Sequence, residues 1–461
     1  MPTQTAIENA LTALTAQLTK AADVGLDAAK SGGADAAKVG ASCAFERRLT
    51  VESKEFSLAN SIETQRLGLV VHKAQRKGSA QINTLDPDAM RKASADALAL
   101  ASFSVPDSGL IMATQADAPA AKALPFMFDS AVTDLELGEL QEIMQVGLTH
   151  AVRDPRVALD KFEFGTSTSW HGVFNSNGVR QFEKQTMLTW SFFGMAVETK
   201  AGSSTKEVSG FDYDVGFSWT RKGVEEKLRA SAEFFAERVL GNLHPRKCPS
   251  YRGPVLLSPR AVEDLIVGMA LYHASGSSVM DGKSQWNDAI GKEVIAPLVT
   301  IHDNPHDSRM SGATAFDSDG LPTRTHAIIE RGTLRTHLHD LYTARKTNAK
   351  STAMAGGPFA LALAPGEAAL SDLAGARGEL LMVDRFSGNS DPVKGDFSGV
   401  AKSSRLYVKG KDAGAVSETM IAGNFFEVAK QILSASREVE IVNGAFSSPW
   451  LLIDGVSVTG G

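Results

Sequence analysis

Two cysteines in 461 residues are too few for a disulfide framework. Cys43 and Cys248 stand far apart and outside any CxxC spacing, which fits a reducing compartment. An excess of basic charge is missing too: 47 Lys and Arg face 53 Asp and Glu, a net charge of -6. That balance argues against a nucleic-acid binder, which needs a basic face. No apolar run approaches the ~20 residues that span a bilayer. Met1–Lys20 lacks the basic n-region and apolar h-region of a secretory signal. The expectation is a cytoplasmic protein that engages neither nucleic acid nor membrane.

Catalytic signatures are missing as well. No HExxH or HExxxH string occurs, so no helix offers two imidazoles to one zinc ion with a glutamate to activate water. There is no GxSxG elbow, no Walker spacing and no GxGxxG opening a helix after a strand. Four weaker candidates are left. His302 and His306 are spaced i,i+4 beside Asp303 and Asp307, but Pro305 removes the helix that would align them, so a polar surface loop is expected, with metal binding as the outside alternative. His337 and His339 share a face if their segment is a strand, and a solvated strand face is expected. Cys43 alternates with apolar residues as a core thiol would. Cys248 follows Arg246 and Lys247, which favour a thiolate, though an incidental surface thiol is the plainer expectation.

What is present is globular: 43% hydrophobic and 22% charged residues, enough for two or three compact units. Ile7, Leu11, Leu14 and Leu18 recur at helical spacing until Ser31-Gly32-Gly33. Alternation at Val39–Phe45, then Leu49/Val51, then Leu67–Val71 predicts three strands in an antiparallel meander. Asp86-Pro87 starts a helix running to about Phe103. Residues 104–130 read as a surface connection, and Thr133 with Glu136 as the capping box of a helix ending near Pro155. Val173–Val179 carries an Asn-Gly hairpin signal of type I′. Phe211, Tyr213, Val215, Phe217 and Trp219 alternate against Asp212 and Asp214, a half-buried strand. A helix over Val224–Val239 closes at Gly241. Helix, strands, helix thus occur twice, about 1–105 and 130–240, which hints at an internal duplication within an N-terminal α+β domain, 1–240. Residues 241–253 have the composition of a linker. Beyond them, 254–461 read as a mostly antiparallel β domain with few helices, roughly Arg260–His273 and Asn424–Ala435. The fold class is α+β. Gly395, Asp396 and Ser398 form a tight loop able to present backbone groups to a ligand, although turn chemistry explains it equally well.

Several longer strings resemble the PmbA/TldD family. Phe316-Asp317-Ser-Asp319-Gly320-Leu-Pro322-Thr323, Ile329–Leu334, Asp340–Lys346 and Lys350–Gly357 are similar to its central signature. Gly395–Ser398 and Thr419–Asn424 resemble its C-terminal signatures, and Ser61–Val70 its N-terminal one. The resemblance implies a paired system. TldD-type chains carry an HExxxH helix and a C-terminal cysteine that bind zinc, whereas PmbA-type (TldE) chains lack both, and the two form a heterodimeric metalloprotease that trims or degrades peptides. Here Val267, Gly268 and Tyr272 fall where the first His, the Glu and the second His would be, and no cysteine follows Cys248. The resemblance therefore implies a PmbA/TldE-like subunit with no cofactor of its own, zinc being held by a TldD-like partner, with a homodimer as the other pairing. Lys409-Gly410-Lys411 and Ala415-Val416 depart from the family's usual Glu-Asn-Gly and Pro-Val. A second reading is a non-proteolytic peptide- or protein-binding regulator, in the manner of a DNA gyrase modulator. Such a role would act through protein, given the charge.

Overall fold

Helix α1 (Gln4–Ser31) ends where Gly33 takes φ +83° and the Ala34 N–H returns to the Ala29 carbonyl at 3.0 Å. The structure is a computed structural model and describes residues 4–199, 205–417 and 419–460. Leu14 is half-buried and Leu18 buried, while the side chains of Ile7 and Leu11 lie outside the described residues. The expected three-strand meander is divided differently. Residues 39–51 form one strand, β1 (Ala36–Glu52), followed by β2 (Glu55–Lys73) and β3 (Arg76–Ile82). The Phe45–Leu49 stretch interrupts the alternation without interrupting the backbone, because both neighbours, β2 and a later strand, pair along its whole length. Helix α2 (Pro87–Phe103) starts at Asp86, whose carboxylate accepts from the N–H groups of Asp88 and Ala89.

The second half begins one turn later than the sequence suggests. Asp129 caps a short helix α3 (Ser130–Thr133), and α4 (Leu137–Ala151) follows with the Glu139 carboxylate accepting from the Glu136 N–H at 2.9 Å. Strands β4 (Val157–Asn175) and β5 (Arg180–Thr199) form the expected hairpin, but through a four-residue turn in which only Gly178 has positive φ, not a type I′ turn. Asn175 is drawn inward instead, its side-chain amide donating to the Ala113 carbonyl at 2.8 Å. Strands β6 (Lys206–Val208) and β7 (Asp212–Ser218) both pair with β5, and α5 (Val224–Gly241) closes the unit.

The strand order is β3-β2-β1-β4-β5, with β6 and β7 beyond β5, and β1 and β4 pair antiparallel at its centre. Each half therefore runs helix, strands, helix outward from one shared pair. The odd-numbered residues of β1 point to α1 and α2 near Val39 and Cys43, and to α4 and α5 near Leu49 and Val51. All four helices thus cover one face. Cys43 is buried there, and burial pushes its thiol up to about 11.

The C-terminal half is built on β8 (Tyr251–Leu257) and on the strand Phe446–Thr459, which pairs with four different strands of a 13-stranded sheet. The segment Asn424–Ala435 is not one helix. It makes one helical turn at Phe425–Val428, a 3₁₀ turn, and then enters the strand Ile432–Val442. Cys248 is not a surface thiol: it is buried in this core, and burial together with Glu379 pushes it up to about 11. Among the described residues no helix is long and apolar enough to cross a membrane.

One alternation is reversed. On β7, Phe211 and Val215 are 55% and 38% exposed while Asp212 is 0% exposed. Asp212 lies among three arginines: Arg260 at 3.1 Å, Arg238 at 3.5 Å and Arg385 at 3.7 Å. Asp384 accepts from Arg238 and stands 3.5 Å from Arg260. The ring of Tyr213 packs against the guanidiniums of Arg260 and Arg385, 4.5 and 5.2 Å from its centroid. Opposite charge, not apolar area, thus decides which face of β7 turns inward. Removing one partner of a buried ion group leaves the others uncompensated. Asp212→Asn should lower the unfolding free energy by about 3–5 kcal/mol in urea titration. Asp281→Asn, which breaks the exposed Lys283–Asp281 pair, should change it by less than about 1 kcal/mol.

Candidate functional site

The helix expected at Arg260–His273 starts at Ser258, whose hydroxyl accepts from the Ala261 N–H. It is not uniform: α6 (Pro259–Val262) passes through a π turn at Glu263–Val267 into α7 (Gly268–Ala274). Positions five apart on an α-helix are separated by about 140°, and the structure divides the three matched positions accordingly. Val267 is buried in the C-terminal core. Gly268 is exposed, with nothing but the Glu263 carbonyl near its missing Cβ, and Tyr272 is half-buried. Asp264, Gly268 and Tyr272, at i, i+4 and i+8, line the open side. The three matched positions, Val267, Gly268 and Tyr272, offer one phenol oxygen as a donor. Among the described residues no three His, Cys, Asp or Glu side chains group as a metal site requires. The residues present at the helix do not fit a zinc ion.

Beside that open side lies a strand the sequence did not reveal, Arg385–Ser390. Its Phe386 N–H donates to the Asp264 carboxylate at 3.2 Å, tying strand to helix. It pairs on one side with Asp396–Lys402, and among the described residues no strand covers the other edge. Phe-Ser-Gly-Asn-Ser shows neither apolar alternation nor β-branched residues, so no strand signal was available. Asp264, one turn before the matched positions, was the trace that could have been read.

Gly395, Asp396 and Ser398 open the partner strand. Gly395 has φ +84°, and a Cβ there would sit 2.7 Å from the Phe426 ring. Asp396 and Ser398 are exposed, and the Asp396 carboxylate accepts from the Asn424 side-chain amide at 2.8 Å. Asn424 also donates to the Lys394 carbonyl and caps the turn at Phe426. The two C-terminal signature strings are therefore neighbouring strands, paired Asp396 to Asn424. Gly388 and Gly399 face one another so closely that a Cβ on Gly388 would lie 2.4 Å from the Gly399 Cα. The downstream hairpin holds Lys409 and Gly410 at φ +50° and +74°.

The histidines go elsewhere. His337 and His339 are not on a solvated strand face. Each is 4% exposed, His337 bonding the Trp286 carbonyl at 3.0 Å and His339 the Thr343 hydroxyl at 3.3 Å. Their segment runs beside the end of α7 by one bridge, so both rings turn inward. Burial pushes both down. His273, next to Tyr272, accepts the Gln285 N–H at Nδ1 and packs 4.9 Å from the Phe426 ring. The segment divides: His302 and Asp303 lie in the sheet, whereas Asn304–Asp307 form the expected loop, with His306 exposed. Ile301–Asp303 is a strand, and the fully buried Asp303 accepts from the N–H groups of Phe359 and Ala360. His306 bonds the Thr323 hydroxyl, and among the described residues neither histidine belongs to a metal-like group.

The central signature lies at the junction of the two halves. Asp317, 2% exposed, accepts from the N–H groups of Asp319, Leu321 and Ala355. Asp319 pairs with Lys38 of β1 at 2.8 Å, Tyr342 donates to Asp107 at 2.6 Å, and Glu183 of β5 accepts from Thr314 and Ala315. Around these pairs is a cavity of about 400 Å³, lined by Lys38, His72, Asp319, Asp340 and Tyr342. The signature docks one half on the other.

The family described as the PmbA/TldA metallopeptidase C-terminal domain matches residues 250–460. The Escherichia coli O157:H7 metalloprotease PmbA is 28% identical over 85% of this chain and 84% of its own length. A metalloprotease PmbA homolog of Haemophilus influenzae is 27% identical over 94% and 95%. Residues 250–460 thus carry the C-terminal domain of this family, and the chain is similar to PmbA over most of its length. Its fold is that of TldE from Thermococcus kodakarensis, with a TM-score of 0.82 at 20% identity over 95% of this chain and 100% of that one. A putative modulator of DNA gyrase from Thermotoga maritima gives the same TM-score and identity over 96% and 100%. In sequence the chain is similar to PmbA, and in fold to TldE.

Burial, aided by the Asp319 charge, pushes Asp317 up to about 6 from 3.8, against the pull of its three N–H donors. A carboxyl raised in the folded state holds more protons than its unfolded form between those values. Its contribution to stability therefore falls as pH rises from about 4 to about 6. Asp317→Asn should flatten that fall in pH-dependent melting. It should also lose about 1–3 kcal/mol, because an amide N–H₂ must face an N–H donor.

Proposed function

We propose that this chain is the metal-free, PmbA/TldE-like subunit of a two-subunit zinc metallopeptidase, acting on peptides with a TldD-like partner that carries the zinc. The observation that carries the reading is the helix at Val267, Gly268 and Tyr272: an apolar residue turned into the core and a glycine stand where a metal site needs donors. The strand Arg385–Ser390 meanwhile keeps an open edge beside that helix. An extended peptide added to such an edge is held by main-chain hydrogen bonds, which accept many sequences. The role of this subunit is then to bind and align peptide, with hydrolysis at the partner's metal. Gly395, Asp396 and Ser398 support the docking strand through the Asp396–Asn424 bond.

The test is to purify the chain alone and with a TldD-like chain from the same cell. Peptide cleavage that appears only with both, and stops with a zinc chelator, is the expected result. Cleavage by the lone chain that survives chelation overturns the reading. Bound peptides N-methylated at alternate residues should lose affinity about fivefold for each main-chain bond removed, roughly 1 kcal/mol. Methylation at the intervening residues should have little effect in the same titration.

A further inference from the structure

The cavity at the junction of the two halves has three walls of different character. The central sheet supplies a basic one. Lys38 of β1 stands opposite Val70 of β2, and His72 of β2 opposite Lys77 of β3, all on the face turned away from the helices. The loop at Asp319 and the start of the helix Leu341–Thr347 supply an acidic wall of Asp319 and Asp340. The third wall is apolar and comes from the connection after α2, with Val105 and Ile111 left 83% and 38% exposed.

Most of the charges are matched within the protein. Lys38 pairs with Asp319 at 2.8 Å, and Asp107 accepts from the Tyr342 hydroxyl at 2.6 Å and from the Lys346 ammonium at 3.2 Å. One charge of each sign is left over. Lys77 is exposed and, among the described residues, makes no hydrogen bond or ion pair. Asp340 forms no ion pair with them either. Its Oδ1 accepts from the N–H and hydroxyl of Thr343 at 2.7 and 2.6 Å, and its Oδ2 accepts from no described residue. The His72 ring, opposite Lys77, likewise has no hydrogen-bond partner among the described residues. Burial, with Lys77 and Lys38, pushes its pKa down, so the ring stands neutral with a free N–H.

An unmatched ammonium, an unmatched carboxylate and an apolar wall around one space are the complement of one kind of molecule. We propose that the cavity binds a free zwitterion with an apolar side chain, a single amino acid or a dipeptide. Its carboxylate takes Lys77 and the His72 N–H, its ammonium takes Asp340 Oδ2, and its side chain covers Val105 and Ile111. Other small ligands leave a charge unmatched: a fatty acid or phosphate ester gives Asp340 no cation, and a simple amine gives Lys77 no anion. The volume, about 400 Å³, lies in the range of about 300–1,000 Å³ typical of small-molecule sites. Lys77 and His72 belong to the N-terminal half and Asp340 to the C-terminal one, so the ligand ties the halves together. The cavity shares no residue with the strand Arg385–Ser390 or with the matched helix positions. Binding there needs neither zinc nor a TldD-like chain.

Calorimetric titration of the purified chain alone, with leucine and with glycyl-leucine, is the test. At least one of the two should bind with a Kd of about 1 mM or tighter, and the tighter of them fixes the ligand's size. Its N-acetylated form lacks the ammonium and its C-terminal amide lacks the carboxylate. Each should bind about tenfold more weakly, as losing a hydrogen bond to a charged group implies. Glycine and diglycine, without the side chain, should also be weaker. Lys77→Gln and Asp340→Asn should each cost about tenfold in affinity. Lys222→Gln, the same charge change at an exposed lysine outside the cavity, should cost nothing. Asn caps a helix as Asp does and Lys77 is exposed, so both variants should keep the unliganded melting temperature. The ligand should raise that temperature in the wild type and much less in either variant. Binding by neither zwitterion overturns the proposal. So do blocked forms that bind as tightly as the free one, or an undiminished affinity in Lys77→Gln.

Discussion

A single buried carboxylate, Asp212, decides how the two halves of the chain meet. It sits at the first residue of the last central strand and faces arginines from three places: Arg238 on α5, Arg260 at the start of α6, and Arg385 where the open-edged strand begins. Asp384 completes the group. An isolated charge at 0% exposure would be prohibitively costly, so each member needs the others to remain charged and buried. Because the members come from both halves, the halves cannot separate without stranding charge. The group also sets orientation: Arg260 fixes the start of the helix that carries Gly268 and Tyr272, and Arg385 fixes the strand beside it.

The second junction works by a different means. At the Phe316–Thr323 loop, Asp317 accepts three backbone N–H groups and so holds the loop shut without any cation. The loop then presents Asp319 to Lys38, and the Thr314 hydroxyl and the Ala315 N–H donate to Glu183. Shape comes from main-chain bonds to a buried carboxylate, and docking from pairs at its rim. The signature string is dense in Asp and Gly because a tight loop needs acceptors and, at Gly320 with φ +85°, a left-handed residue.

Legibility followed local chemistry. The α2 start at Asp86-Pro87, the end of α1 at Gly33 and the β4–β5 hairpin depend on a few adjacent residues, and all were readable. The α+β class was readable from the change of period along the chain. What escaped was set at long range. The inward face of β7 could not be read because Arg238, Arg260 and Arg385 lie up to 173 positions away from Asp212. Nor could the burial of His337 and His339, which follows from one bridge to the end of α7. The strand Arg385–Ser390 has no apolar pattern because it is held by pairing on one edge, by Asp264 and by Arg385, with Phe386 alone packed against the core. At the candidate site, the family match supplied Val267, Gly268 and Tyr272 as positions, but their division between core and open side depends on the helix's orientation, which no local signal carries.

That division bears on the proposed peptide site, which asks nothing of the matched positions as metal donors. A zinc ligand must be held by its side chain, whereas a docking strand needs only a straight backbone at a fixed distance from its neighbour. Asp264 supplies the distance through one bond to the Phe386 N–H, and the Gly388–Gly399 contact keeps the strand close to its partner. Gly268 leaves the exposed side of the helix flat, with only the Glu263 carbonyl near its missing Cβ. Loss of the donors and retention of the edge are therefore physically independent. The same helix that cannot hold an ion is well formed to leave room for an extended chain.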